Sequence, residues 1–192
     1  MSDEAESLAR IAAALEALVE PPEASADWLA SPAYVWDGGA RAVPAIAAPP
    51  LMLIKGVEAQ KEKVTANVAR FAAGHAAHDM LLWGARGTGK SVLLRAAVVA
   101  AQAEDAAAIA LVQVSPEALG SLTLLFAELA AVTRQFLVFI DDLGFEEGDT
   151  AGPRALRSWL EGGVEARPGN VRLAVTSNRR AIVSRQDRKS VV

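Results

Sequence analysis

The chain has 192 residues, a formal net charge of -4 and no cysteine. That length allows one domain with a real core plus an appendage, while the acidic balance excludes a broadly basic nucleic-acid binder and leaves room only for local basic patches. The lack of cysteine excludes a disulfide scaffold or a cysteine-ligated metal site, and the acidic start Met1-Ser2-Asp3-Glu4 and the absence of any apolar run near about 18 residues predict a cytoplasmic protein without a membrane span.

Leu8, Ile11, Leu15 and Leu18 fall at helical spacing and predict an amphipathic helix over 5–20, ended by Pro21-Pro22. Residues 21–50 carry six prolines together with Trp28 and Trp36. They read as an irregular arm whose aromatics dock on the protein's own core, so the domain boundary is set at 50: an arm over 1–50 and a core over 51–192. A helix is predicted over 57–73, with Val64, Val68 and Phe71 on its apolar face. His75 and His78 read as loop residues, because no third ligand accompanies them.

Met80-Leu81-Leu82-Trp83 reads as a buried parallel strand and Val92 to Ala101 as a helix. Between them lies Gly84-Ala85-Arg86-Gly87-Thr88-Gly89-Lys90-Ser91, which matches the phosphate-binding loop pattern G-x-x-x-x-G-K-[ST]. Three glycines let the backbone curl so that several N–H groups share one concavity. Lys90 supplies charge for the β and γ phosphates, Ser91 offers a hydroxyl to Mg2+, and the helix beginning there adds its N-terminal dipole. The predicted nucleotide-binding set is therefore Gly84, Ala85, Arg86, Gly87, Thr88, Gly89, Lys90, Ser91 and Val92.

A second strand is predicted over 108–114. Ser115-Pro116-Glu117 starts a short helix that is interrupted at Gly120-Ser121 and resumes to about Val132. Phe136 to Ile140 is a third strand, and it ends in Asp141-Asp142, a Walker B signature that delivers carboxylates to the carboxyl edge of the sheet. Asp141 is assigned to Mg2+ opposite Ser91. Residues 144–152 read as a polar loop and 153–164 as a helix. Residues 171–175 form a fourth strand that ends in Thr176-Ser177-Asn178, where Asn178 is the candidate for the γ phosphate and the attacking water. Arg179-Arg180 follow, with phosphate, a neighbouring subunit, nucleic acid or solvent as their readings. Strands alternating with helices predict an α/β fold with a parallel sheet.

These residues, taken in order, resemble the AAA+ ATPase core over about 51–180. A narrower resemblance rests on Met80 to Ser91, Phe139-Ile140-Asp141-Asp142-Leu143-Gly144-Phe145-Glu146, Leu160-Glu161-Gly162-Gly163 and Ala174-Val175-Thr176-Ser177-Asn178-Arg179-Arg180. It points to a bacterial AAA+ family of ATP-binding proteins of unknown function. The resemblance implies a three-layer αβα P-loop core in which the sensor-1 strand lies between the P-loop and Walker B strands. Two departures stand out. The family's usual catalytic glutamate is replaced by Asp142, one methylene shorter, with Glu146 and Glu147 as alternative bases. The chain also ends at Val192, close behind Asn178, so a fifth strand, helical lid, sensor-2 arginine and arginine finger have no counterpart; an incomplete core and weak or absent hydrolysis are expected.

The resemblance implies an ATP- and Mg2+-dependent ATPase that remodels or loads a macromolecular partner, with Lys90, Asp142 and Asn178 as catalytic residues and Ser91 and Asp141 at the metal, and with homo-oligomerisation in a full-length form. Two alternatives stay open: a nucleotide-dependent binding module with little turnover, and a helicase-loader-like protein that holds nucleic acid through Arg179, Arg180 and the basic tail. A small-molecule kinase fits less well, because no substrate-pocket signature is visible.

Overall fold

The central strands are continuous apolar runs because helices cover both faces of the sheet they form. The structure is a computed structural model, and it describes residues 26–143 and 167–178. The predicted helices over 5–20 and 153–164, the loop over 144–152, Arg179, Arg180 and the basic tail lie outside the described residues.

In chain order the strands are β1 (Ala33–Trp36), β2 (Ala40–Val43), β3 (Met80–Trp83), β4 (Ile109–Val114), β5 (Gln135–Ile140) and β6 (Val171–Ser177). The helices are α1 (Glu58–Ala72), α2 (Lys90–Glu104) and α3 (Leu122–Ala130), with 3-10 turns at Leu51–Leu53 and Pro116–Ser121. The six-stranded sheet runs β2-β1-β4-β5-β6-β3. All pairings are parallel except the β1–β2 hairpin. As the resemblance implies, β6 lies between the P-loop strand β3 and the Walker B strand β5. Among the described residues no helix is long and apolar enough to cross a membrane.

The two-residue period of a strand divides the core. On one face Ala110, Val112, Val114, Phe136, Val138, Ile140, Leu173 and Val175 meet Leu122, Leu125, Phe126 and Leu129 of α3. On the other, Ile109, Leu111, Leu137, Phe139 and Ala174 meet Val64, Val68 and Phe71 of α1 and Leu93, Leu94, Ala97 and Val98 of α2. The result is the expected three-layer αβα arrangement.

The arm departs from its reading as irregular. Its prolines flank an antiparallel hairpin: Pro32 precedes β1 and Pro44 follows β2. Between the strands, Asp37-Gly38-Gly39 supplies the turn, with Gly38 at φ 111°. β1 pairs with β4 in parallel and so extends the sheet. The tryptophans do dock on the protein's own core. Trp28 and Trp36 are buried, and their indole N–H groups donate to Glu128 at 3.1 Å and Ser121 at 2.8 Å.

Arg134, at the entry to β5, clasps the arm. It is 4% exposed, and it donates to the carbonyls of Trp28 (3.3 Å), Ser31 (2.7 Å), Ala106 (2.8 Å) and Ile109 (3.0 Å). Burial pushes its pKa down, but a guanidinium stays charged at any physiological pH. Removing it takes a donor from four carbonyls, two of them in buried bonds, those of Trp28 and Ile109, although Ile109 O keeps Gln102 Nε2 at 2.9 Å. Arg134→Ala is therefore expected to lower stability by about 3 kcal/mol, read as a fall in the urea midpoint at unchanged slope.

Candidate functional site

The carboxyl ends of β3, β5 and β6 converge because their register is fixed by the sheet. Trp83 pairs with Ser177, and Ile140 pairs with Val175. The loop leaving β3, the two aspartates leaving β5 and Thr176 to Asn178 at the end of β6 therefore meet at one edge, where open α/β sheets bind ligands.

The loop 84–91 is held at both ends. Gly84 N–H donates to Ser177 O at 3.2 Å, and the first turn of α2 is closed by Leu93 N–H to Gly89 O at 2.8 Å. Gly87 and Gly89 have φ of 80° and 82°, the left-handed region in which an L side chain is strained. The Thr88 hydroxyl donates back to Ala85 O at 2.9 Å. These constraints place Lys90 at the start of α2, with its ammonium inside the curl. Lys90 Nζ donates to Gly84 O and Ala85 O, both at 2.9 Å, and to Asn178 Oδ1 at 3.1 Å.

The remaining polar groups form a chain across the strand ends. Ser91 Oγ donates to Asp141 Oδ1 at 2.5 Å. Thr176 Oγ1 donates to the same oxygen at 2.6 Å and accepts from Asp142 N–H at 2.8 Å. Asn178 Nδ2 donates to Asp142 Oδ1. Asp142 is the one non-glycine among the described residues with positive φ, at 50°. A cavity of about 350 Å3 is lined by this set, including Arg86, Lys90, Ser91, Asp141, Asp142 and Asn178. A wider cavity of about 670 Å3 continues from Gly84, Thr88, Gly89 and Lys90 along β3 to Val57, Val64 and Leu93.

The structure thus brings together every site residue named from the sequence: Gly84, Ala85, Arg86, Gly87, Thr88, Gly89, Lys90, Ser91, Val92, Asp141, Asp142 and Asn178 all lie in the loop or border the smaller cavity. Glu146 and Glu147, the alternative bases, lie outside the described residues. His78 is part of a loop clasp, its backbone N–H and C=O both bonded to the Asn67 amide. Two residues of the site were given no role from the sequence. Arg95 lines the smaller cavity; its position four residues after Ser91, on the same helical face, was readable. Thr176 falls at the end of the fourth strand with no role assigned to it; β6 runs through Ser177 and puts the Thr176 hydroxyl between the aspartates.

Ser91 and Asp141 present hard oxygen donors 2.5 Å apart. That suits Mg2+, which binds through one or two carboxylates and substrate phosphates rather than an all-protein cage. Among the described residues no group of three or more His, Cys, Asp or Glu side chains is placed to enclose a metal.

Residues 29–191 match the model of a family described as "Protein of unknown function (DUF815)". The chain belongs to this DUF815 family. No curated protein matches it. Among solved structures, a mutant of Thermotoga maritima RuvB is similar to this DUF815 chain at TM-score 0.50 and 22% identity, over 72% of this chain and 44% of that one. A second RuvB mutant gives the same values. The chain therefore spans less than half the length of the RuvB chains it matches. A structure of DnaI is similar at TM-score 0.44 and 22% identity, covering 70% of this chain and 71% of that one. The RuvB likeness shows a shared fold, the three-layer α/β core expected from the sequence.

Proposed function

We propose that this chain is a Mg2+-dependent ATP-binding module of the AAA+ type that hydrolyses the β–γ bond and couples it to work on a macromolecular partner. The observation that supports this most strongly is the convergence of three separate sequence motifs on one cavity: Lys90 from the loop, the Ser91–Asp141 pair from α2 and β5, and Asn178 with Asp142 from β6 and β5. The smaller, charged cavity takes the triphosphate, and the wider one, walled by Val57, Val64 and Leu93, takes the nucleoside. Mg2+ held by Ser91 and Asp141 would neutralise charge building on the β and γ oxygens. Lys90 holds the same phosphates by charge-assisted hydrogen bonds. Asp142 accepts the proton of the attacking water, and Asn178, bonded to both Asp142 and Lys90, orients that water. The cysteine-free composition suits a cytoplasmic setting.

Calorimetry with ATP, ADP and GTP, with and without Mg2+, together with a phosphate-release assay, tests the reading. ATP binding strengthened by Mg2+ is the expected result; no nucleotide binding in either condition removes the proposal. A second reading, a nucleotide-dependent switch with slow turnover, is favoured by one feature. Asp142 carries a carboxylate one methylene shorter than the usual glutamate, and that carboxylate is tied to the Asn178 amide. A displacement of about 1 Å in such a group costs on the order of a hundredfold in rate. Tight ATP binding with phosphate release far slower than ATP dissociation would establish the switch over the motor.

A further inference from the structure

Among the groups that tie the ends of β5 and β6 together is a hydroxyl, that of Thr176, which the nucleotide chemistry above does not use. Thr176 is 1% exposed and stands one position beyond the last β5–β6 pair, Ile140 with Val175. A hydroxyl has one hydrogen and two lone pairs. Thr176 spends its hydrogen on the Asp141 carboxylate at 2.6 Å and a lone pair on the Asp142 backbone N–H at 2.8 Å. Two further bonds continue the tie one residue on: the main-chain Leu143 N–H donates to Thr176 O at 2.8 Å, and the Ser177 hydroxyl donates to Leu143 O at 3.0 Å.

Both aspartates are set by this one group. Asp141 Oδ1 accepts two hydroxyl hydrogens, from Ser91 and from Thr176, which fixes the carboxylate's rotation and leaves its second oxygen for a cation. Asp142 sits at φ 50°, a conformation an aspartate keeps only where its surroundings hold it. The bond from its N–H to Thr176 is part of that hold, and its carboxylate then reaches Asn178.

We infer that Thr176 is a positioning residue for the Mg-ATP site, orienting the metal-side carboxylate of Asp141 through its hydroxyl hydrogen and the backbone of Asp142 through its oxygen. The inference rests on the ATP-binding reading above. It separates cleanly from a packing role, because valine reproduces the shape of threonine and the β-branched fit to a strand but carries no hydroxyl, whereas serine keeps the hydroxyl and loses the methyl.

The test compares the wild-type chain with Thr176→Val and Thr176→Ser. ATP affinity is measured by calorimetry in EDTA and in saturating Mg2+, and the ratio of the two constants is the readout. Outer-sphere partners of metal ligands typically contribute ten- to hundredfold to metal affinity. Thr176→Val is expected to cut the Mg2+-dependent gain in ATP affinity about tenfold or more, to leave the affinity in EDTA within about twofold, and to be restored by Thr176→Ser. Should the valine variant fail to fold by circular dichroism, Thr176→Cys takes its place, since a thiol of similar size is a weak donor. A wild-type Mg2+ gain in the variant lacking the hydroxyl overturns the inference and leaves ATP binding standing. An equal loss with and without Mg2+, a serine variant no better than valine, or a wild-type chain that binds ATP equally in both conditions overturns it too. A wild-type chain that binds no ATP at all overturns the ATP reading itself.

Discussion

Lys90→Ala is expected to weaken ATP binding by about tenfold to more than a hundredfold. Hydrogen bonds to a charged group contribute about 1.5 to 3 kcal/mol, and each 1.4 kcal/mol is about a factor of ten in affinity. The geometry makes Lys90 the group to test. Its ammonium lies inside the loop curl, bonded to Gly84 O, Ala85 O and Asn178 Oδ1, so it sits where the loop, the β6 terminus and the cavity meet. The same substitution should leave the fold almost untouched. The bonds from Lys90 to Ala85 and Asn178 are solvent-exposed, and water replaces them at little cost. Calorimetry with ATP, paired with a thermal melt, checks both halves. An alanine variant that melts like the wild type and binds ATP as well as the wild type would remove the phosphate-loop reading of residues 84–91.

Asp142→Asn is expected to keep ATP binding and to lower phosphate release by about a hundredfold or more, the usual contribution of a general base. Asparagine preserves the shape and can still accept the Asn178 amide hydrogen through its own Oδ1, but it cannot take a proton from water. Asp141→Asn should behave differently. Asp141 accepts from Ser91 and Thr176, and removing its negative charge should weaken the Mg2+ dependence of binding more than the chemistry. Single-turnover phosphate release across a Mg2+ series distinguishes the two variants. Turnover that survives Asp142→Asn but is lost in Glu146→Gln would move the base to Glu146, the alternative named from the sequence.

The glycine-lysine-serine octet announces itself through spacing, because a tight turn, a point charge and a hydroxyl are each supplied by one residue type. β4 and β5 were legible as buried apolar runs bounded by turn residues, and α1 as a 3.6-residue stripe; β3 is the parallel strand expected but not the buried one, since it is the last strand of the described sheet and leaves Leu81 and Trp83 half exposed. The arm is a hairpin and not irregular because its prolines lie outside the strands: Pro32 and Pro44 bracket β1 and β2, and the Asp-Gly-Gly turn between them is the better signal. Arg134 carried no signal at all. An arginine beside Thr133 in a turn reads as solvated surface, and only the folded chain shows four carbonyls gathered around it.

What the sequence determined by itself is therefore the inventory of the candidate site: a glycine-rich loop with the G-x-x-x-x-G-K-[ST] pattern at 84–91, carboxylates at 141 and 142, and an amide at 178, each at the end of a strand. Such features are local, since turn chemistry and strand propensity act over a few bonds. What only the tertiary structure decided is how the inventory is joined. The Leu-Val-Phe-Ile run of β5 would satisfy its backbone beside β3, β4 or β6 alike, and nothing within it states which neighbour or register wins. In the fold β6 is the strand between β3 and β5, with α1 and α2 packed on one face of the sheet and α3 on the other. Pairing Ile140 with Val175 then carries the Thr176 hydroxyl to Asp141 and the Asn178 amide to Asp142. A shift of one residue would turn those side chains to the opposite face of the sheet, so the polar chain across the strand ends exists only because burial on both faces pins the register.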